Sequence, residues 1–114
     1  MTPTGISMQM TYNKWDVWFA TVKFDDSDEK KKRPILILDK KEGLAVSMKM
    51  TSHKPRTSSD YALKYWEKAG LDAETTVITS KAYYLHESDL DRKIGRLYTY
   101  DRLQIQNIIE PNPS

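Results

Sequence analysis

Hydrophobic positions along the chain come in short blocks set between charged stretches. The first block, Lys14-Trp15-Asp16-Val17-Trp18-Phe19-Ala20-Thr21-Val22, is rich in β-branched and aromatic residues that suit a pleated, half-buried surface. It predicts a first strand. Trp15 and Trp18 have opposite parity in it, so one should face inward and the other an interface or groove. A charged stretch from Lys23 to Lys32 then interrupts the pattern. Pro34-Ile35-Leu36-Ile37-Leu38 follows as a continuous apolar run, the pattern of a strand buried on both faces, with proline at the first position, where a missing N–H is tolerated. Lys40-Lys41-Glu42-Gly43 supplies a turn. From Leu44 to Thr51, Leu44, Val46, Met48 and Met50 alternate with Ala45, Ser47, Lys49 and Thr51, completing a hairpin.

Beyond the hairpin, Ser58 or Ser59 offers a hydroxyl cap to a short helix over Tyr61 to Ala69, which Gly70 would stop. Thr75 to Thr79 and Lys81 to Leu85 read as two further strands, Glu87-Ser88-Asp89 as a turn, and Lys93 to Leu97 as a last short strand. Thr99 is placed to cap a terminal helix with Leu103, Ile105, Ile108 and Ile109 as its apolar positions and Asp101 complementing the dipole of its first turn. The pattern predicts a mainly β protein with covering helices. It is expected to form one domain over residues 13–109, with a flexible tail at 1–12 and a proline-rich one at 110–114.

Composition narrows this picture. A chain of 114 residues can bury a modest core, and 7 Tyr and 3 Trp supply bulky side chains for it. With no Cys, neither disulfides nor thiolate metal sites can hold the fold. The sequence has no run of about 18 apolar residues and no signal pattern, so a soluble cytoplasmic protein with no membrane partner is expected. A net charge of +2 is too small to announce nucleic-acid binding by itself, but its distribution is uneven. Asp25, Asp26, Asp28 and Glu29 run into Lys30, Lys31, Lys32 and Arg33, and a second basic cluster follows at Lys49, His53, Lys54 and Arg56. Solvated loop charge is the commoner fate of such runs.

Arg33 begins the second strand and Thr51 ends the third, so an antiparallel hairpin brings them to one end of the sheet. A guanidinium matches two phosphate oxygens with its planar fork and stays charged at any working pH. The Thr51 hydroxyl can add a donor to a non-bridging oxygen or orient a ribose hydroxyl. RNA carries its own nucleophile, the 2′-OH, so cleavage needs no metal when protons are managed and charge is stabilised. His53, two residues past Thr51, is the candidate acid or base. Spacing alone favours a plainer picture, in which Arg33 pairs with a nearby Asp, Thr51 is an ordinary strand residue and His53 an exposed loop residue. His53 and His86 form no ligand motif, so neither metal nor other cofactor is expected.

The order of several segments changes this balance. Lys14-Trp15-Asp16-Val17-Trp18-Phe19-Ala20, Lys32-Arg33-Pro34-Ile35-Leu36-Ile37-Leu38, Val46-Ser47-Met48-Lys49-Met50-Thr51-Ser52, Tyr65-Trp66-Glu67-Lys68-Ala69-Gly70-Leu71 and Lys93-Ile94-Gly95-Arg96-Leu97 together resemble the PemK/MazF toxins of bacterial toxin–antitoxin pairs. The resemblance implies a small SH3-like, CcdB-like antiparallel β-barrel that forms a homodimer, cleaves single-stranded RNA and is silenced by a cognate antitoxin. It also implies that Arg33 and Thr51 hold the catalytic positions and that the products end in a cyclic 2′,3′-phosphate and a free 5′-hydroxyl. Lys31, Lys32, Lys49, Lys54 and Arg56 are the expected RNA-binding residues. Trp15 departs from the family, which usually has glycine there. Relatives of this fold that poison gyrase by binding protein make a non-catalytic barrel the competing function, and a degenerate member that binds only RNA or antitoxin is a third.

Overall fold

The computed structural model describes residues 11–23 and 29–111. Six strands, β1 (Asp16–Val22), β2 (Lys31–Lys41), β3 (Leu44–Thr51), β4 (Asp60–Ala62), β5 (Thr76–His86) and β6 (Leu90–Arg96), precede one helix, α1 (Thr99–Ile109). They form a single antiparallel sheet in the order β4-β5-β3-β2-β1-β6. Its edges, β4 and β6, do not pair with each other among the described residues, so the ladders stop short of closing a barrel.

Register and alternation give the sheet two apolar faces. Trp18 stands opposite Ile35 and shares the front face with Ala20, Val22, Ile37 and Ala45, joined by Tyr12 and Leu90. Val17 stands opposite Leu36, which is paired with Met48, and these form the back face, where Met50, Val77, Leu97 and Ile105 complete a second cluster. Trp18 is buried in the front cluster and Trp15 packs against the back one, so both rings pack on the core where one was expected to face an interface or groove. Tyr12 is fully buried, and its hydroxyl donates to Glu87 Oε2 at 2.6 Å. Tyr12 belongs to the segment expected as a tail at 1–12, yet it packs in the core.

The hairpin is built as its sequence suggests. β3 occupies Leu44–Thr51, and Glu42 and Gly43, at φ 53° and 79°, form its two-residue turn. β2 extends beyond its apolar run at both ends because ladder pairing holds the flanking polar residues. The acidic run Asp25, Asp26 and Asp28 lies outside the described residues.

Three expectations are corrected. The helix expected over Tyr61 to Ala69 is absent: Asp60–Ala62 is strand β4, paired with β5, and only Trp66–Ala69 forms a 3-10 helix. The amides of Lys64 and Tyr65 donate to the Asp101 carboxylate at 3.0 and 2.9 Å, which ties this segment to α1 just where a helix would have been winding. Gly70 still ends the element at φ 88°. The two strands expected around Ser80 are one, β5, because β3 pairs with both halves while Met48 faces Ala82 and Lys49 faces Ile78, leaving Thr79–Lys81 as a bulge. Thr99 is the first residue of α1 and not its cap, and Asp101 is fully buried.

Of the apolar positions of α1, Ile105 is buried and Leu103 is exposed, since the helix packs along a narrow stripe only. A Cβ on Gly95 would lie 2.1 Å from the Ala69 carbonyl oxygen, so glycine there lets the 3-10 helix rest directly on β6. No helix among the described residues is long and apolar enough to cross a membrane.

Candidate nucleic-acid cleavage site

The β2–β3 ladder ends with Ile35 opposite Lys49, and Arg33 and Thr51 each lie two residues beyond that pair, at the same end of the hairpin. Alternation from buried Ile35 puts Arg33, Lys49 and Thr51 on the front face. Neighbouring strands fix both residues from the outside, since Arg33 pairs with Ala20 of β1 and Thr51 with Thr76 of β5. Both are half-buried, held in the sheet with surface facing solvent.

The chain after Thr51 turns away as an exposed loop. Its first contact is with Thr51 itself, whose Oγ1 accepts the His53 backbone N–H at 3.3 Å. Farther on, the Asp60 carboxylate accepts the N–H groups of Arg56 and Thr57 at 2.9 and 3.3 Å. This loop and the front face enclose a cavity of about 460 Å³, to which Lys49, Thr51, His53, Lys54 and Arg56 all contribute, together with Asp60 and Tyr83. Five of the eight residues singled out from sequence thus share one concavity.

The other three lie elsewhere. Arg33 is on the adjacent strand, outside the cavity lining. Lys31 is exposed and shares Arg33's parity. Lys32 has the opposite parity, and its ammonium pairs with Asp91 at 2.9 Å, which draws it toward β6 and away from the cavity. Among the described residues no three His, Cys, Asp or Glu side chains converge as a metal centre requires.

Residues 13–111 match the model of the PemK-like, MazF-like toxins of type II toxin–antitoxin systems. The chain belongs to this family. Its fold is also that of solved structures. One is the Mycobacterium tuberculosis toxin MazF-mt6, 19% identical, TM-score 0.66, with 82% of this chain and 91% of that one covered. Another is described as an endoribonuclease from mycobacterial species, 12% identical, TM-score 0.71, with 93% and 99% covered. No curated protein sequence matches the chain.

Within this PemK-like fold two buried carboxylates matter, Asp16, which sequence reading did not single out, and Asp101, which it placed only as a complement to the helix dipole. Asp16, fully buried at the start of β1, accepts on Oδ2 the Asn13 N–H at 2.9 Å and the Trp18 indole N–H at 3.3 Å. Its Oδ1 has no hydrogen bond but faces Lys93 at 3.4 Å and Arg96 at 3.9 Å. Asp101 takes the two amides already described and the Tyr61 hydroxyl at 2.6 Å. Burial is the main reason the Tyr61 phenol is pushed well above its ordinary pKa, with the hydrogen bond to Asp101 adding to it.

Trp15 has φ 76°, the left-handed region in which a side chain is strained. The strain is held in place on both sides, since the Trp15 N–H donates to Ile37 O at 2.7 Å and its carbonyl accepts the Leu97 N–H at 3.0 Å.

Proposed function

We propose that this family member is a toxin endoribonuclease that cuts single-stranded RNA without a metal and is inhibited by a cognate antitoxin. The observation that supports the proposal is the basic cavity lined by Lys49, Thr51, His53, Lys54 and Arg56 at the end of the β2–β3 hairpin, with Arg33 on the neighbouring strand. A scissile phosphate at this end of the hairpin receives the Arg33 fork on its non-bridging oxygens, where negative charge grows as the 2′-oxygen attacks phosphorus. The Thr51 hydroxyl adds a donor or orients the ribose. The new P–O2′ bond forms as the P–O5′ bond breaks. The 2′-hydroxyl proton leaves to a base, the 5′-oxygen gains a proton, and the products are a cyclic 2′,3′-phosphate and a 5′-hydroxyl. His53, adjoining Thr51 in the cavity, serves one of the two proton transfers.

Lys49, Lys54 and Arg56 neutralise phosphates on either side of the cut. In this reading the six-stranded sheet is the wall of an SH3-like barrel, and the active unit is a homodimer working in the cytoplasm. The test is to incubate purified protein with single-stranded RNA in EDTA and map the ends. Cyclic 2′,3′-phosphate and 5′-hydroxyl termini at reproducible positions are expected, with His53→Ala slowing cleavage and leaving RNA affinity nearly unchanged. Intact RNA in EDTA that is cut only after magnesium is added would overturn the reading.

A further inference from the structure

A second concavity, of about 230 Å³, meets the first at the loop after β3. His53 and Lys54 line both, and the second continues past Pro55 to Leu63, with Glu74 as its acidic member. The next two residues of the chain after Leu63 are Lys64 and Tyr65, so this groove ends within two residues of a distinct surface. There Tyr65 lies with its ring centroid 4.7 Å from that of Tyr98 and 5.7 Å from that of Tyr100. Lys64 Nζ lies over the Tyr100 ring, 5.1 Å from its centroid, and Lys68 Nζ over the Tyr98 ring, 4.9 Å from its centroid. Tyr98 and Tyr100 are each 41% exposed.

The core does not account for these rings, since none of the three belongs to either buried cluster. The backbone on the Tyr65 side is nonetheless anchored. Asp101 holds the backbone of Lys64 and Tyr65 from below, and Gly95 lets the helix carrying Lys68 seat against β6. Grouped aromatic rings with ammonium groups over them, within two residues of a groove that adjoins the candidate cleavage site, supply what a single strand of nucleic acid needs. Bases stack on the rings and phosphates meet the cations. An acidic peptide would engage the lysines and leave the tyrosine faces without a stacking partner.

We propose that the Tyr65–Tyr98–Tyr100 platform, with Lys64 and Lys68, binds the flank of the RNA strand whose scissile phosphate lies at the Arg33–Thr51 end. This rests on the ribonuclease reading above. The strand passes from the cavity over His53 and Lys54, along the second groove, and onto Tyr98 and Tyr100.

The test uses three RNAs built on a mapped cut site: a core of about five nucleotides, and the same core extended by about six nucleotides on the 5′ or the 3′ side. Each carries a 2′-deoxy nucleotide at the cut position for binding measurements and an ordinary ribose for cleavage. The wild type is expected to bind one extended RNA at least about tenfold tighter than the core, the gain that stacking a base or two provides. The double variant Tyr98→Ala/Tyr100→Ala binds all three with the affinity of the core and cuts the core at the wild-type rate. Lys64→Gln/Lys68→Gln, which leaves the rings in place, loses part of the gain and lowers the salt dependence of binding to the extended RNA.

Cleavage of the core by a wild type that gains nothing from either extension would overturn the platform and leave the ribonuclease reading standing. So would retention of the gain in the tyrosine double variant, or loss in that variant of affinity for an acidic peptide alone. Failure of the wild type to bind or cut any of the RNAs would end both proposals.

Discussion

Asp101 is fully buried beneath the tyrosine platform and takes three hydrogen bonds, whereas Arg33 and Thr51 stand half-buried at the open end of the hairpin beside an exposed loop. A buried polar atom left without a partner costs far more than an exposed one, so a carboxylate such as Asp101 is committed to holding elements together. At the hairpin end the backbone is fixed by strand pairing on both sides, and the side chains keep surface that a ligand can reach. Rigidity and reactivity are therefore assigned to different residues. Substitutions at one region should change stability with little effect on chemistry, and those at the other should do the reverse.

The largest expected effect tests the reactive half of this division. Arg33→Ala should lower the cleavage rate by about a hundredfold or more, the cost of removing a preorganised donor to developing charge, with a smaller fall in melting temperature than Asp101→Ala. Arg33→Lys should fall between, because a point charge replaces the bidentate fork. Initial rates on one RNA and a thermal melt of each variant decide the matter. An Arg33→Ala protein that cuts at the wild-type rate, or one that fails by unfolding, would erase the distinction between the two regions.

The opposite result is expected at Asp101. Asp101→Ala leaves the Tyr61 hydroxyl and the Lys64 and Tyr65 amides without their acceptor, which should cost about 3 kcal/mol and lower the melting temperature by roughly 10 °C or more. Asp101→Asn keeps an acceptor oxygen and should lose less. Cleavage of a short RNA by the folded fraction should be unaltered, as measured well below the melting midpoint.

Tyr61 offers a smaller test of the same network. Removing its hydroxyl in Tyr61→Phe should cost about 1 kcal/mol near neutrality. The pH dependence has a definite sign. The folded phenol holds its proton more tightly than the unfolded one, so its contribution is complete below the ordinary tyrosine pKa of about 10 and is lost as pH rises past it. Denaturant titrations at rising alkaline pH should show wild-type stability falling more steeply than that of Tyr61→Phe. Tyr12→Phe should flatten the same limb, since Tyr12 is likewise shifted up by burial and by its bond to Glu87.

How far each feature was legible in the sequence follows from the distance over which it is determined. The Leu44–Thr51 strand could be read to the residue because alternation, a two-residue turn and the preceding apolar run are all local. Lys49, Thr51, His53, Lys54 and Arg56 gather in one cavity because they are nearly contiguous, and the parity that sends Lys32 elsewhere could have been read from its place one residue before Arg33. The segment from Tyr61 to Ala69 was misread because its helical look is also local, while the partner that fixes it, Asp101, lies 36 and 37 positions from the amides it binds. The tyrosine platform brings together side chains from the same two distant segments and left no sequence signal beyond three tyrosines with nearby lysines.

Backbone strain gives the smallest and sharpest test, because it lies among packed residues and not at the hairpin end. Trp15 has a left-handed backbone, held by bonds to Ile37 and Leu97, while its ring packs against the back cluster. Replacing it mixes two opposing terms, lost packing and relieved strain, so neither variant alone isolates the backbone. The pair Trp15→Ala and Trp15→Gly does, since both delete the ring and only glycine tolerates φ 76° at no steric cost. Both should be less stable than the wild type, and glycine should be the more stable of the two by about 1 kcal/mol, read from urea midpoints at equal slope. Alanine matching glycine would mean that the left-handed residue costs nothing at this position.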